Sequence, residues 1–167
     1  MIVKASVWWC AVVPGAAAAI VLYSLAFPAG AMGPFVLGGI AWLLVGVVWL
    51  VRLVLRRDRW LLATPLVAAL TAGLAWAEVP LDVAFTTAKG GLAEQVAEGK
   101  AGRAGIYRIE AVRPEGGVTY LPLRGGGDAF AAESGFAHAP DGIPQGTPEY
   151  LYFRHLDGPW YWYDASE

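Results

Sequence analysis

Charge is nearly missing from the first 77 residues of this 167-residue chain, which hold one acidic side chain, Asp58, and five basic ones, Lys4, Arg52, Arg56, Arg57 and Arg59. A segment so poor in charge cannot cover itself with a water-compatible surface. Cysteine occurs once, as Cys10, which excludes an intrachain disulfide and a multi-thiolate metal site, and excludes a cysteine nucleophile anywhere after residue 77. Histidine occurs twice, as His138 and His155, so there is little imidazole for a metal centre or for acid-base chemistry. Basic clusters with interleaved aromatics are also lacking. Residues 78–167 carry thirteen acidic side chains against seven basic ones, a balance that repels a phosphate backbone and argues against nucleic-acid binding.

What the chain does have is long apolar runs. Residues 5–27 contain no charge across 23 positions, residues 35–51 none across 17, and residues 60–77 none across 18. A bilayer core takes about 20 residues of helix, so the pattern predicts three transmembrane helices within residues 1–77. Pro14 and Gly15 are tolerated in such a helix if a neighbour satisfies the carbonyl that proline frees, with a local kink as the consequence. Arg52, near the end of the second run, can extend its stem toward the headgroups. Lys4 and the "RRDR" stretch at 56–59 fall on one side of a three-helix serpentine, and the intervening "PAGAMGP" at 28–34 is uncharged. Basic residues stay in the cytoplasm, so the chain is expected to be a multi-pass plasma-membrane protein whose N-terminus is cytoplasmic and whose acidic C-terminal part is extracytoplasmic. A rival for the first run is a cleaved signal peptide, because "AGA" at 29–31 has the small-x-small form of a cleavage site; the run is longer than the usual apolar region of such a leader. The only polar side chains in the runs besides Arg52 are Ser6, Tyr23, Ser24, Thr64 and Thr71, too few for an ion or proton pathway. Gly38, Gly39, Gly46, Ala68, Ala69, Ala72 and Gly73 permit close helix contacts.

After Glu78 and Pro80 the pattern changes. Leu81, Phe85, Ala88, Leu92 and Val96 recur at steps of three and four, which predicts an amphipathic connecting helix within 78–103, ended by Gly99 and weakened by Gly90 and Gly91. From residue 104 the period becomes two, and turn residues recur about every ten positions. "GIYRIEAVR" (105–113), "VTYLPLR" (118–124), "FAAESGFAHA" (130–139), "EYLYFRHL" (149–156) and "PWYWYDA" (159–165) are separated by "PEGG", "GGGD", "PDG" with "IPQGTP", and Asp157-Gly158. The expected fold is a membrane α-helical anchor followed by a small all-β domain, a four- or five-stranded antiparallel meander over 104–167. Asp157-Gly158 is expected to form a type I′ hairpin turn, both residues taking positive φ. Along the last strand Trp160 and Trp162 point to one face, Tyr161 and Tyr163 to the other. A domain of about 60 residues needs large rings to bury enough surface, so one face is core. The other packs on the 81–99 helix, lies in the headgroup layer, or meets a ligand or protein.

No catalytic, cofactor or metal site is expected. Glu133, Ser134, His138, Asp141, His155 and Asp157 are the polar candidates, yet "ESGFAH" is not a nucleophile elbow, His138 and Asp141 lack zincin spacing, and "GGGD" has no P-loop lysine. The candidate binding surface is Tyr161 and Tyr163 with His138 and His155. At "SGFAHAPDG" (134–142), "HLDGPWYWY" (155–163) and "GIYRIEAVRPEGG" the chain resembles a group of bacterial multi-pass membrane proteins with a few N-terminal spans, a short helix and a small aromatic-rich β-domain. That resemblance implies the same layout; it brings no known activity, so no catalytic residue is carried over from it. His138 stands where such sequences often carry an aromatic. The expected function is a non-catalytic protein anchored in the lipid bilayer that presents its β-domain to an envelope protein or surface component, with no small-molecule ligand identified. One alternative is an accessory subunit held in a larger complex through its helices, and a lesser one is a metal-dependent enzyme with a pocket between His138 and His155.

Overall fold

The computed structural model describes residues 8–27, 31–55, 59–124, 131–142 and 151–166. The "AGA" stretch, the "RRDR" loop (apart from Arg59), "GGGD" and "IPQGTP" lie outside these or only touch them. Two compact units form, one from residues 1–25 and 32–80, the other from residues 26–31 and 81–167.

The first unit contains a π-helical turn, Trp8–Val12, that runs into α1 (Val13–Ser24), then α2 (Met32–Leu55), a 3-10 turn (Arg59–Leu62) and α3 (Ala63–Trp76). Pro14 has no N–H to bond the carbonyl of Cys10, four residues back. Thr64 on α3 donates its hydroxyl to that carbonyl at 3.2 Å instead, so a neighbouring helix does satisfy the freed acceptor. The distortion takes the form of the π turn immediately before the proline. Trp49 Nε1 donates to the Leu61 carbonyl at 2.8 Å, and Thr71 bonds back to Val67 at 2.7 Å. Helices α1 and α2 approach closely at Gly38, where a Cβ would lie 2.6 Å from Val21 Cγ2, whereas Gly39, Gly46 and Gly73 face open space.

Three helices are present, but among the described residues only α2, with 24 residues, is by itself long and apolar enough to cross a membrane. The expectation of three full-length spans is corrected on this point. Within its described residues the first run gives the shorter apolar helix Cys10–Ser24, and Ala26 and Phe27, which follow it, belong to the core of the other unit. The third run starts as a 3-10 turn and yields a 14-residue α-helix, which ends where Glu78 takes a φ of +54°.

In the second unit α4 (Val79–Glu98) follows the expected 3,4 spacing, burying Leu81, Ala84, Phe85, Ala88 and Leu92. Gly99, at φ +64°, ends it in the left-handed conformation that glycine adopts without cost. Gly91 serves close packing, since a Cβ there would meet Ala104 Cβ at 3.2 Å. The short strands β1 (Arg103–Ala104) and β2 (Tyr107–Arg108) pair with each other. The remaining strands, β3 (Arg113–Glu115), β4 (Val118–Pro122), β5 (Ala131–His138), β6 (Leu151–Asp157) and β7 (Trp160–Ser166), form one antiparallel sheet in the order β3-β4-β5-β7-β6.

A four- or five-stranded antiparallel meander was expected; the main sheet has five antiparallel strands, but it is not a simple meander, because β7 sits beside β5 and pushes β6 to the edge. The reason is chemical. With Trp160 and Tyr163 both buried, β7 needs cover on both faces, while β6 carries Arg154, His155 and Asp157 and tolerates an edge. The 105–113 segment, read as one strand, is divided between β2 and β3, and the turn expected at 114–117 narrows to Gly116-Gly117, with φ of +58° and +85°. The β6–β7 turn is also corrected. Asp157 pairs with Trp160, which leaves Gly158 and Pro159 as the two loop residues. Gly158 has φ +57°, whereas the proline ring holds its own φ negative, so a type I′ turn is impossible and positive φ is confined to the first loop residue, as in type II′.

Candidate functional site: an aromatic sheet face

Strand alternation sends the aromatics of β7 to opposite sides of the sheet. Trp160 and Trp162 join a core with Phe85, Ala88 and Leu92 of α4, Tyr107, Leu121 and Phe136, together with Ala26 and Phe27. Phe136 lies 4.8 Å from Tyr107 and 5.7 Å from Phe85, ring centre to ring centre, and Phe85 lies 6.2 Å from Trp160. Tyr107 donates its hydroxyl to the Ala26 carbonyl at 2.6 Å, and its ring meets Phe27 edge-on at 5.6 Å. Burial pushes the Tyr107 phenol up, far above its ordinary value, so it remains a donor. Helix α4 therefore covers the Trp160 part of this face, while Tyr152 of β6, its ring 5.5 Å from that of Trp162, is exposed.

The other face gathers Val118, Ala137, Ala139 and Tyr163, with Tyr120, Phe153 and Tyr161 packed around them. Tyr120 meets Tyr163 edge-on at 5.2 Å and Phe153 at 6.2 Å, and Phe153 lies 6.3 Å from Tyr163. His155 pairs across the strands with Tyr161, their rings 5.1 Å apart. His155 Nε2 lies 2.9 Å from the Gly158 carbonyl; a carbonyl can only accept, so Nε2 carries the hydrogen. Tyr163 is 1% exposed and donates its hydroxyl to Glu133 Oε1 at 2.8 Å, while Arg113 pairs with Glu133 Oε2 at 2.9 Å. Burial first, then the hydrogen bond and charge of Glu133, push the Tyr163 phenol well above its ordinary value. This Arg113–Glu133–Tyr163 chain ties β3, β5 and β7 together beneath the aromatic surface. Tyr163→Phe keeps the ring and removes the donor, and should lower stability by roughly 1–2 kcal/mol, read as a reduced urea midpoint at unchanged slope.

Of the four residues singled out in the sequence, Tyr161, Tyr163 and His155 share this face. His138 does not: it pairs with Trp160 on the opposite side, its ring 4.8 Å from the indole. His138 and His155 thus belong to different faces, and among the described residues no group of three His, Cys, Asp or Glu side chains could hold a metal ion. Tyr163 is scaffold, and the accessible part of the face consists of half-buried Tyr120, Phe153 and Tyr161 with exposed His155. Tyr120 and Phe153 escaped the sequence reading although each occupies a correct alternation position, because their neighbours across the sheet depend on strand order. No family model matches the chain, and no curated protein or solved structure matches it.

The other polar candidates have structural partners or open positions. Ser134 is fully buried in β5, and Asp141 is exposed in the turn that follows. Asp157 pairs with Lys89 of α4, whose hydrogen bond and charge hold the carboxyl below its ordinary value near 3.8. A depressed carboxyl contributes stability that is present above its unfolded pKa and is lost as pH falls through the folded one. Asp157→Asn should therefore lower stability slightly at pH 7, where the carboxylate is charged, and the difference from the unaltered protein should fade as pH drops below about 4 and shrink in high salt.

Proposed function

We propose that the chain is a non-catalytic membrane-anchored protein that presents the Tyr120/Phe153/Tyr161/His155 face of an extracytoplasmic β-domain to an envelope protein or surface component. The observation that carries the anchor is the exposure of α2 and α3. Leu43, Val54 and Leu66 are 72%, 84% and 70% exposed, and only 11% of the most apolar stretch of α2 is buried. A helix apolar on every side and uncovered by protein belongs in hydrocarbon. Residues 26–31 support the arrangement. They belong to the C-terminal unit, so the chain leaves that unit into α2 and returns to it at Leu81. Helix α2 is about 36 Å long, more than the ~30 Å hydrocarbon core. In this reading residues 8–25 and 59–80, each a helix extended by its preceding turn, make the other two passes in place of the full-length helices that the sequence suggested. The uncharged 26–34 connection and the acidic β-domain share one side while the arginines hold the cytoplasmic side.

The tyrosine side is preferred because α4 covers Trp160 on the other side, where Tyr152 beside Trp162 is the exposed ring, whereas Tyr120 and Tyr161 together present rings with one apolar and one hydrogen-bonding end, the type enriched at binding surfaces. The test is chemical crosslinking in intact membranes followed by co-purification, comparing the unaltered protein with a Phe153→Ser/Tyr161→Ser variant whose folding is checked by near-ultraviolet circular dichroism. Loss of specific crosslinked species supports the reading; an unchanged set in a folded variant removes it. Protease added outside intact cells should degrade the tail, and protection until lysis would reverse the orientation.

A further inference from the structure

We infer that the beginning of α4 docks on a zwitterionic lipid surface, with Trp76, Val79 and Val83 at the boundary between outer headgroups and acyl chains. The inference rests on the reading above that the apolar helices lie in a bilayer. One side of α4 is committed to the domain core through Leu81, Ala84, Phe85, Ala88 and Leu92. At about 100° per residue Val79 and Val83 fall on the opposite side, and both are exposed, Val83 by 57%. Trp76, the last residue of α3, is 91% exposed. The chain stays wound just beyond it, because the Ala77 N–H bonds the Gly73 carbonyl at 3.0 Å and the Glu78 N–H bonds that of Ala75 at 3.1 Å. Val79 therefore starts within about one turn of Trp76.

Three observations identify the occupant as lipid. The first is where the apolar side chains stop. Farther along the outer side of α4 stand Thr86, Gly90 and Glu94, all exposed, so the large apolar groups are confined to the part that adjoins α3. A partner helix seated on α4 would call for a stripe along its length. The second is depth. Tyr23 and Trp76 are exposed near the ends of α1 and α3, and rings of this kind settle at the headgroup level. The rise from Val79 to Val83 is ~6 Å, about the depth of one headgroup layer, and side chains on a helix lean toward its N-terminus, here toward the span. The third is charge. Glu78 and exposed Asp82 flank the valines, and the first basic residue of α4, Lys89, is paired with Asp157. Such a border is repelled by an anionic surface and accepts a zwitterionic one.

The test uses the full-length chain reconstituted into phosphatidylcholine vesicles that carry a trace of photoreactive phosphatidylcholine, its diazirine either beside the glycerol or at the acyl end, with adducts mapped by mass spectrometry. The shallow probe should label Trp76, Val79 and Val83, and the deep probe should label Leu43 of α2 but not the two valines. Val83→Asp, which leaves the core side of α4 untouched, should lower shallow labelling of residues 79–83 about tenfold, the factor for one valine no longer buried. Ala93→Asp, exposed farther along the same helix, should leave it unchanged. Replacing part of the phosphatidylcholine by phosphatidylglycerol should lower it about fivefold. Equal effects of Val83→Asp and Ala93→Asp, or labelling that holds or rises with phosphatidylglycerol, overturns the inference. A diazirine-bearing leucine analogue placed at position 83 in intact cells gives a second measurement: a lipid adduct supports the site and a protein adduct overturns it. Valines unlabelled by either probe while Leu43 is labelled remove this site alone, whereas Leu43 unlabelled by the deep probe removes the bilayer reading as well.

Discussion

Phe136→Ala should destabilise the C-terminal unit by roughly 3–5 kcal/mol, the range for removing a fully enclosed phenylalanine. The ring has no exposed surface and is held edge-on by Tyr107 and tilted against Phe85, so neighbours from β2 and α4 both lose a contact. A cavity at this point has little room to collapse, because the surrounding rings are themselves fixed: Tyr107 by its hydrogen bond to Ala26, and Phe85 by its position on a rigid helix. In detergent, thermal unfolding followed at the aromatic circular dichroism band should move down by more than about 12 °C. A shift of only a few degrees would mean that Phe136 is not the centre of this core.

Gly135→Ala should cost about 3 kcal/mol by the opposite route, overcrowding instead of loss. A Cβ on residue 135 would stand 2.3 Å from the Leu121 carbonyl oxygen and 2.9 Å from Pro122 Cα. Both are backbone atoms of β4, so no side-chain rotation relieves the clash, and the β4–β5 pairing has to open. Gly135 pairs with Pro122 on one side and Tyr163 on the other, so the disturbance reaches both neighbouring strands. The expected signature is a lower denaturant midpoint with loss of amide protection along β4 and β5; a variant as stable as the unaltered protein would show that the strands can part at little cost.

These adjacent positions give a physical meaning to the "SGFA" stretch. Ser134, Gly135, Phe136 and Ala137 are all buried, and they occupy a strand covered on both faces and paired along both edges. Phe136 points into the core under α4 and Ala137 into the tyrosine layer. The "SGFA" stretch is thus a packing motif. The Asp-Gly-Pro stretch in "HLDGPWYWY" is similarly a hairpin requirement, and its aromatics supply the rings that each face of the sheet encloses.

Local periodicity was enough to read α4 from Leu81 to Val96, the two-residue alternation of β4 through β7, and the separation of tryptophans from tyrosines, because each depends on the spacing of residues within one element. That the apolar first half is helical was equally legible, but the lengths of its helices were not: among the described residues only α2 is by itself long enough to cross a membrane. Strand order, the edge position of β6 and the opposite placement of His138 and His155 were settled only by pairing between distant strands, for which sequence spacing has no signal. The same holds for Ala26 and Phe27. In the sequence they are the end of an apolar run, indistinguishable from the residues before them; in the folded chain Tyr107 takes them into the β-domain core, because a buried phenol needs an acceptor and the Ala26 carbonyl, just past the last turn of a helix, is one.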